Sequence, residues 1–264
     1  MGPQEFTMLC VYILSGILGL CVGSYLNVVI YRLPNEMSLS KPGSHCTKCN
    51  YSLKWYDNIP VLSYLILGGK CRKCGSSISP RYMIVELFNA ALWLLAVAFY
   101  WEANPVYACA VAVCCSALIC IFFIDLEHML IYNRFTVLVA IAGVIAAVTQ
   151  TEGMWHEHLI GGLVGGTAFL ALYYGAIAVL KQEGLGFGDV KYAAAAGLLL
   201  GWQRFLLSIL IASVAGALVM VISNRVTNAD KRKEYPFGPF LVLGTLVALF
   251  FGKAVIAWYI GLLL

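Results

Sequence analysis

Charge is what this sequence has least of. Of its 264 residues, 11% are Asp, Glu, Lys or Arg, against 61% hydrophobic, and the mean hydropathy is +0.85. A soluble domain needs more polar surface than that, so the composition points to a polytopic membrane protein. Nor does the N-terminal run read as a cleavable leader. The first apolar run is too long for one and ends without a small-residue cleavage site, so it reads as a retained span. No serine or cysteine sits beside a paired base, which leaves acyl-enzyme chemistry without a nucleophile. No repeat relates the two halves, whereas transporters usually carry one. The net charge of +4 calls for no nucleic-acid partner; what matters is where the positive charges fall, because basic loops stay cytoplasmic.

Residues 1–6 read as a remnant left in front of the natural start. Span one then runs from about Met8 to Ile30. The polar segment from Tyr31 to about Tyr82 holds eight basic residues, which makes it cytoplasmic and puts the N-terminus outside. Seven more apolar stretches follow: Met83–Trp101, Val106–Ile124, Ile131–Thr149, Leu159–Leu180, Val190–Trp202, Phe205–Ser223 and a last one from Pro236 to the C-terminus. The expected fold is all-α, with about eight transmembrane helices and a small cytoplasmic insertion between spans one and two. The domains are residues 1–30, 31–82 and 83–264. This topology puts fifteen of the seventeen Lys and Arg on the cytoplasmic side, all except Arg204 and Lys253. The loop 150–158 carries Glu152 and Glu157 but no Lys or Arg, as an external loop should, and its His156 and His158 read as solvated. Gly162-x-x-x-Gly166 in span five permits close helix packing.

Six of the ten cysteines (Cys10, Cys21, Cys109, Cys114, Cys115 and Cys120) lie in apolar runs and read as small buried hydrophobes. The other four form Cys46-x-x-Cys49, twenty-one intervening residues, and Cys71-x-x-Cys74. Two such knuckles make a closed tetrahedral thiolate site, which is the chemistry of structural zinc. A cytoplasmic location disfavours two disulfides. A segment of about fifty residues is also too small to be held by a core alone.

Asp125 closes the third apolar run. Asp189 ends the stretch Gly184-Leu185-Gly186-Phe187-Gly188-Asp189. An ionisable group at a membrane span is costly and is a functional candidate by default. Read singly, each is a helix-end charge, Asp189 as an N-cap. Read together, on one membrane side, they form a pair that shares one proton and activates water, as in aspartic proteases.

These residues together resemble the type IV prepilin leader peptidases. The resemblance runs from Gly23-Ser24-Tyr25-Leu26-Asn27 through Arg32-Leu33-Pro34, the four cysteines, Asn58-Ile59-Pro60, Ser63-Tyr64-Leu65, Ser79-x-Arg81-Tyr82 and Val85-Glu86-Leu87. It continues through Ile124-Asp125 and Gly186-Phe187-Gly188-Asp189-Val190-Lys191, which carries the Gly-x-Gly-Asp signature, to Pro236-Phe237-Gly238-Pro239-Phe240. Two positions depart from the common pattern. Tyr132 stands where many members have Pro, and Ala90 where several have Gly.

The resemblance implies a bifunctional enzyme of the bacterial inner membrane with its active site facing the cytoplasm. It would cleave prepilins and pseudopilins after the glycine that ends their leader. It would then N-methylate the new N-terminus with S-adenosylmethionine. Asp125 and Asp189 would be catalytic. Gly186, Gly188, Lys191, Pro236, Gly238 and Pro239 would meet the substrate. Glu86 and Arg81 are candidates for methyl transfer, and Cys46, Cys49, Cys71 and Cys74 for zinc. The chain has no Rossmann-type glycine loop to mark the donor site. A peptidase without methyl transfer, or a transporter or assembly factor with a zinc hairpin, are the rival readings.

Overall fold

The computed structural model describes residues 2–181, 185–227 and 235–263. Gly184 of the glycine stretch and the basic residues Lys231, Arg232 and Lys233 lie outside the described residues. Among those described there is no strand, only two isolated bridges. The helices are α1 (Pro3–Arg32), the short α2 (Leu62–Ile66), α3 (Arg81–Tyr100), α4 (Pro105–His128), α5 (Asn133–Thr149), α6 (Trp155–Leu180), α7 (Phe187–Leu200), α8 (Trp202–Thr227) and α9 (Gly238–Leu263). Six of them, α1, α3, α4, α6, α8 and α9, are long and apolar enough to cross a membrane. α5 has 17 residues and α7 only 14. At 1.5 Å per residue α7 is about 21 Å long, short of the ~30 Å hydrocarbon core. α1 already begins at Pro3, so residues 3–6, read from sequence as a remnant, continue the first helix.

The chain divides into two compact units, Met1–Glu102 and Ala103–Leu264. In the first, α1 and α3 pack closely because α1 has glycines where they meet. A Cβ on Gly19 would lie 2.8 Å from the Ala90 Cα, and one on Gly23 would lie 2.7 Å from the Glu86 Cα. Both are too close for any side chain, so the small residues fix the spacing. The contact buries polar groups that are satisfied across it. Asn89, fully buried, donates to the Gly19 carbonyl at 2.7 Å, and Asn27 donates to the Tyr82 carbonyl at 3.1 Å. Ala90 is thus a packing position opposite Gly19.

In the second unit α4 is the most enclosed of the long apolar helices, with 72% of its apolar window buried. Around it, α7 is held by small residues. A Cβ on Gly161 or Gly165 of α6 would run into the backbone of Gly197 or Ala193, whereas Gly162 and Gly166 make only ordinary or slightly tight contacts. The close-packing motif is therefore Gly161-x-x-x-Gly165 against Ala193-x-x-x-Gly197, one residue earlier than the Gly162-x-x-x-Gly166 reading. α7 is locked to α9 by a buried hydrogen bond, from the Tyr192 hydroxyl to Thr245 Oγ1 at 2.8 Å.

The two cations that fell on the wrong side of the sequence topology meet one acid. Arg204, 5% exposed, and Lys253, at 3.1 Å, both pair with Glu152. A buried cation needs such a partner. His158, expected in water, is 1% exposed and its Nδ1 donates to the Leu198 carbonyl at 2.9 Å.

Candidate active site and metal centre

Asp125 sits within the last turn of α4 rather than beyond it, since the helix continues to His128. Its side chain is buried, and the N–H of Gly238 at the start of α9 donates to it. That N–H is free because the first residues of a helix have no partner a turn earlier. Gly238 has to be glycine for this approach: a Cβ there would lie 2.5 Å from Asp125 Oδ2 and 2.8 Å from its Cγ. Pro236 and Phe237 precede the helix, and Phe237 accepts the N–H groups of Phe240 and Leu241 at 3.1 and 3.2 Å. Pro239 thus falls in the first turn, where its missing N–H costs nothing.

Asp189 lies in the first turn of α7. Gly186 is the N-cap, so Asp189 is three residues past the position expected from sequence. Its backbone N–H bonds the Gly186 carbonyl at 3.0 Å, and its carboxylate in turn accepts the Gly186 N–H. This reciprocal pairing is the capping-box logic with Gly at the cap. One carboxylate oxygen is engaged there. The other, Oδ1, is buried and has no hydrogen-bond partner among the described residues. The Asp125 and Asp189 carboxylates lie near enough to act on each other electrostatically. Two residues sixty-four positions apart thus come within electrostatic reach because α4 and α7 both pack against α9.

Two of the other expected substrate contacts, Gly188 and Lys191, have neighbours within the fold. Gly188 faces Ile131, whose Cβ would be 3.0 Å from a Cβ at Gly188. Lys191 Nζ donates to Asn133 Oδ1 at 3.0 Å and lies 5.0 Å from the centre of the Phe187 ring. Gly186 is exposed.

The four cysteines form the second centre. Each knuckle has the same backbone course. Asn50 N–H returns to the Cys46 carbonyl and Gly75 N–H to the Cys71 carbonyl, both at 2.9 Å, while Cys46 and Cys71 donate to Tyr51 and Ser76. Asn50 and Gly75 take the left-handed conformation that closes each turn, with φ of 54° and 68°; these are the residue types that tolerate it. The four sulfurs lie within 4.8 Å of one another, with Cys46–Cys74 at 3.8 Å and Cys49–Cys71 at 4.0 Å, and none is in a disulfide. A tetrahedron with Zn–S bonds of ~2.3 Å has sulfurs about 3.8 Å apart, so the set fits zinc. The backbone N–H groups of Cys49 and Lys48 hold the Cys46 thiol down at about 6, which favours the thiolate a metal needs.

Asp57, from the turn after the first knuckle, braces the second. Its Oδ1 accepts Arg72 Nε at 2.7 Å, and its Oδ2 accepts the Lys54 N–H at 3.3 Å. Burial alone would raise the Asp57 carboxyl, but Arg72 and the Lys54 N–H hold it below the usual carboxylate range. Asp57 was not singled out from sequence. The acid–base spacing carries no signal until the knuckles fold.

Glu86 is buried on α3. Its Oε2 accepts the Val61 N–H at 2.8 Å, and Ser24 also donates to it. Arg81 opens α3, with its N–H on Ser79 Oγ at 3.3 Å.

Residues 17–100 match the model of the bacterial peptidase A24 N-terminal domain, and residues 112–221 that of the type IV leader peptidase family. A prepilin leader peptidase/N-methyltransferase of Aeromonas salmonicida is 31% identical over 93% of this chain and 92% of its own length. One of Myxococcus xanthus is 39% identical over 78% of this chain and 61% of its own length. A type 4 prepilin-like proteins leader peptide-processing enzyme of Escherichia coli is 37% identical over 90% of this chain and 93% of its own length. No solved structure matches. The chain, a multi-pass membrane protein by its apolar helices, belongs to the type IV leader peptidase family.

Proposed function

We propose that this protein is a bifunctional prepilin-processing enzyme, an aspartic endopeptidase and N-methyltransferase. Asp125 and Asp189 carry the peptidase, and the observation behind that assignment is their convergence in a buried site where Asp189 Oδ1 is left unpartnered. A buried acceptor without a partner is costly unless something fills the place. Here the natural occupant is the attacking water or the scissile peptide. The two carboxylates hold one proton between them. The ionised one takes a proton from water while the other donates to the scissile carbonyl, with no covalent intermediate. Gly186, Gly188, Lys191, Pro236, Gly238 and Pro239 surround this site, and the exposed Gly186 is the position there best suited to meet the substrate backbone. Cys46, Cys49, Cys71 and Cys74 hold zinc as a closed structural site. S-adenosylmethionine supplies the methyl group in the second reaction.

In this reading the protein lies in the bacterial inner membrane with eight spans. α5 and α7 complete the six longer helices, the N-terminus is outside, and both aspartates face the cytoplasm. The ion pairs on Glu152 support the orientation, because they account for the two basic residues that would otherwise contradict it. The substrates are prepilins or pseudopilins, and the surrounding solvent is the lipid bilayer.

The test is incubation of the purified protein with a prepilin and methyl-labelled donor. Leader loss and methyl incorporation are scored separately. Asp125→Asn and Asp189→Asn should each abolish leader loss and leave the protein folded; cleavage at the wild-type rate by either variant sinks the dyad.

A further inference from the structure

The second unit holds a cavity of about 230 Å³ that neither aspartate lines. It sits where α7 stops. That helix ends at Leu200, about 21 Å from its start, while α6 and α9, which pack against it, have 26 residues each. Leu200 and Gly201, the heads of α6 and α8, and α9 from Lys253 to Ile260 border the space. Trp155 opens α6, Trp202 opens α8, and Trp258 lies on the same stretch of α9; all three are exposed. Exposed tryptophans gather at headgroup depth, where one end of the ring is wet and the other is not. The cavity therefore lies at a membrane interface, the outer one in the orientation proposed above.

Its polar side chains are only partly used. Arg204, 5% exposed, gives Nε to the Leu200 carbonyl at 2.7 Å and Nη1 to Glu152. A guanidinium has five N–H donors, and Nη2 has no hydrogen-bond partner among the described residues. Lys253 gives one N–H to Glu152 at 3.1 Å and keeps two, on a side chain 61% exposed. Glu157 spends Oε2 on the Met154 N–H at 3.1 Å, and its Oε1 has no partner among the described residues. His158, fully buried with Nδ1 on the Leu198 carbonyl, has Nε2 left as an acceptor. The cavity thus brings together two cations and two carboxylates, with spare donors at Arg204 and Lys253 and spare acceptors at Glu157 and His158.

We infer that this cavity takes the headgroup of a phosphatidylethanolamine, its phosphate on Arg204 and Lys253 and its primary ammonium on Glu157 and His158. The headgroup carries one charge of each sign, which is what a site of balanced charge with both kinds of group unspent can satisfy. An anionic lipid brings no ammonium for Glu157, and a choline headgroup has no N–H to donate. The volume is below the ~300–1,000 Å³ of drug-sized sites and suits a headgroup whose tails lie outside. Those tails continue along Ile256 and Ile260, the apolar residues of α9 at the cavity. A lipid seated here also fills the gap that a helix shorter than the hydrocarbon core leaves in the bundle.

Native mass spectrometry of the full chain in detergent tests this. The protein is titrated in turn with phosphatidylethanolamine, phosphatidylglycerol and phosphatidylcholine of the same acyl chains. Phosphatidylethanolamine should bind first, as a single molecule per chain, and about tenfold more tightly than either of the others. Lys253→Ala and Glu157→Gln should each remove about that factor, as the loss of a charge-assisted hydrogen bond does, and Lys253→Arg should restore it. Neither change should unfold the chain, since Lys253 is largely exposed and Glu157→Gln keeps an oxygen for the Met154 N–H; the melting temperature without lipid checks both. Equal affinity for the three lipids, or wild-type binding by both variants, overturns the inference. Phosphatidylglycerol bound as tightly as phosphatidylethanolamine, with Glu157→Gln silent, would make this a plain anion site and overturn it as well.

Discussion

Replacing Gly238 by Ala tests the peptidase geometry without touching either carboxylate. The new Cβ would stand 2.5 Å from Asp125 Oδ2, 2.8 Å from Cγ and 3.3 Å from Cβ. Carbon and oxygen prefer about 3.5 Å or more between centres, as non-bonded heavy atoms do. The carboxylate or the start of α9 must therefore give by roughly 1 Å. Neither gives easily. Asp125 is itself buried on α4, and α9 is tied to α7 through Tyr192 and Thr245. Overpacking of this kind costs about 1–3 kcal/mol of stability. A 1 Å misplacement of a catalytic group costs about 10²-fold in rate. The expected outcome is a folded protein whose kcat for leader removal is down by about two orders of magnitude. Gly216→Ala is the control, since its nearest neighbour, the Phe240 ring, would be at an ordinary 3.4 Å. Leader removal is followed by gel shift of a prepilin, and folding by melting temperature in detergent. Wild-type kcat in Gly238→Ala would refute the account of Asp125, because the crowding falls on its carboxylate and on little else.

Other outcomes follow from the two units. Metal analysis should find one zinc per chain, and Cys71→Ser or a strong chelator should remove it and open the first unit to proteolysis between residues 31 and 82; a metal-free chain equally resistant would count against the structural role. Asp57→Asn should flatten the acid side of the stability profile. Its folded carboxyl lies below the usual range, so its contribution is present above the ordinary value of about 4 and is lost as pH falls through the lower, folded value. A profile unchanged by the substitution would show that the brace on Arg72 is idle. Glu152→Ala should lower stability by about 3–5 kcal/mol, because Arg204 is left buried without its partner. Replacing Glu152 and Arg204 together by Leu should recover much of that loss, and a double variant as unstable as the single would refute the pairing argument.

Hydropathy located the helices well because a membrane span is a local property: twenty apolar residues announce themselves whatever they pack against. The eight apolar stretches each contain a helix, although most of the helices run a few residues past the ends read from sequence. Charge patterning left two basic residues unexplained, and both are paired in space. Arg204 and Lys253 looked misplaced because their common partner, Glu152, lies 52 and 101 residues away in sequence. His158 looked solvated for the same reason, since the Leu198 carbonyl that accepts its N–H is invisible to a loop reading. The two aspartates were legible through the glycines and apolar runs beside them. What sequence could not tell was the work of the neighbours. Gly238 reads as a helix start and is in fact the position whose missing side chain admits Asp125. Gly188 reads as room for substrate, and Ile131 stands 3.0 Å from where its Cβ would be. In each case the glycine signals that something comes close, and only the fold says whether that something is the substrate or the protein itself.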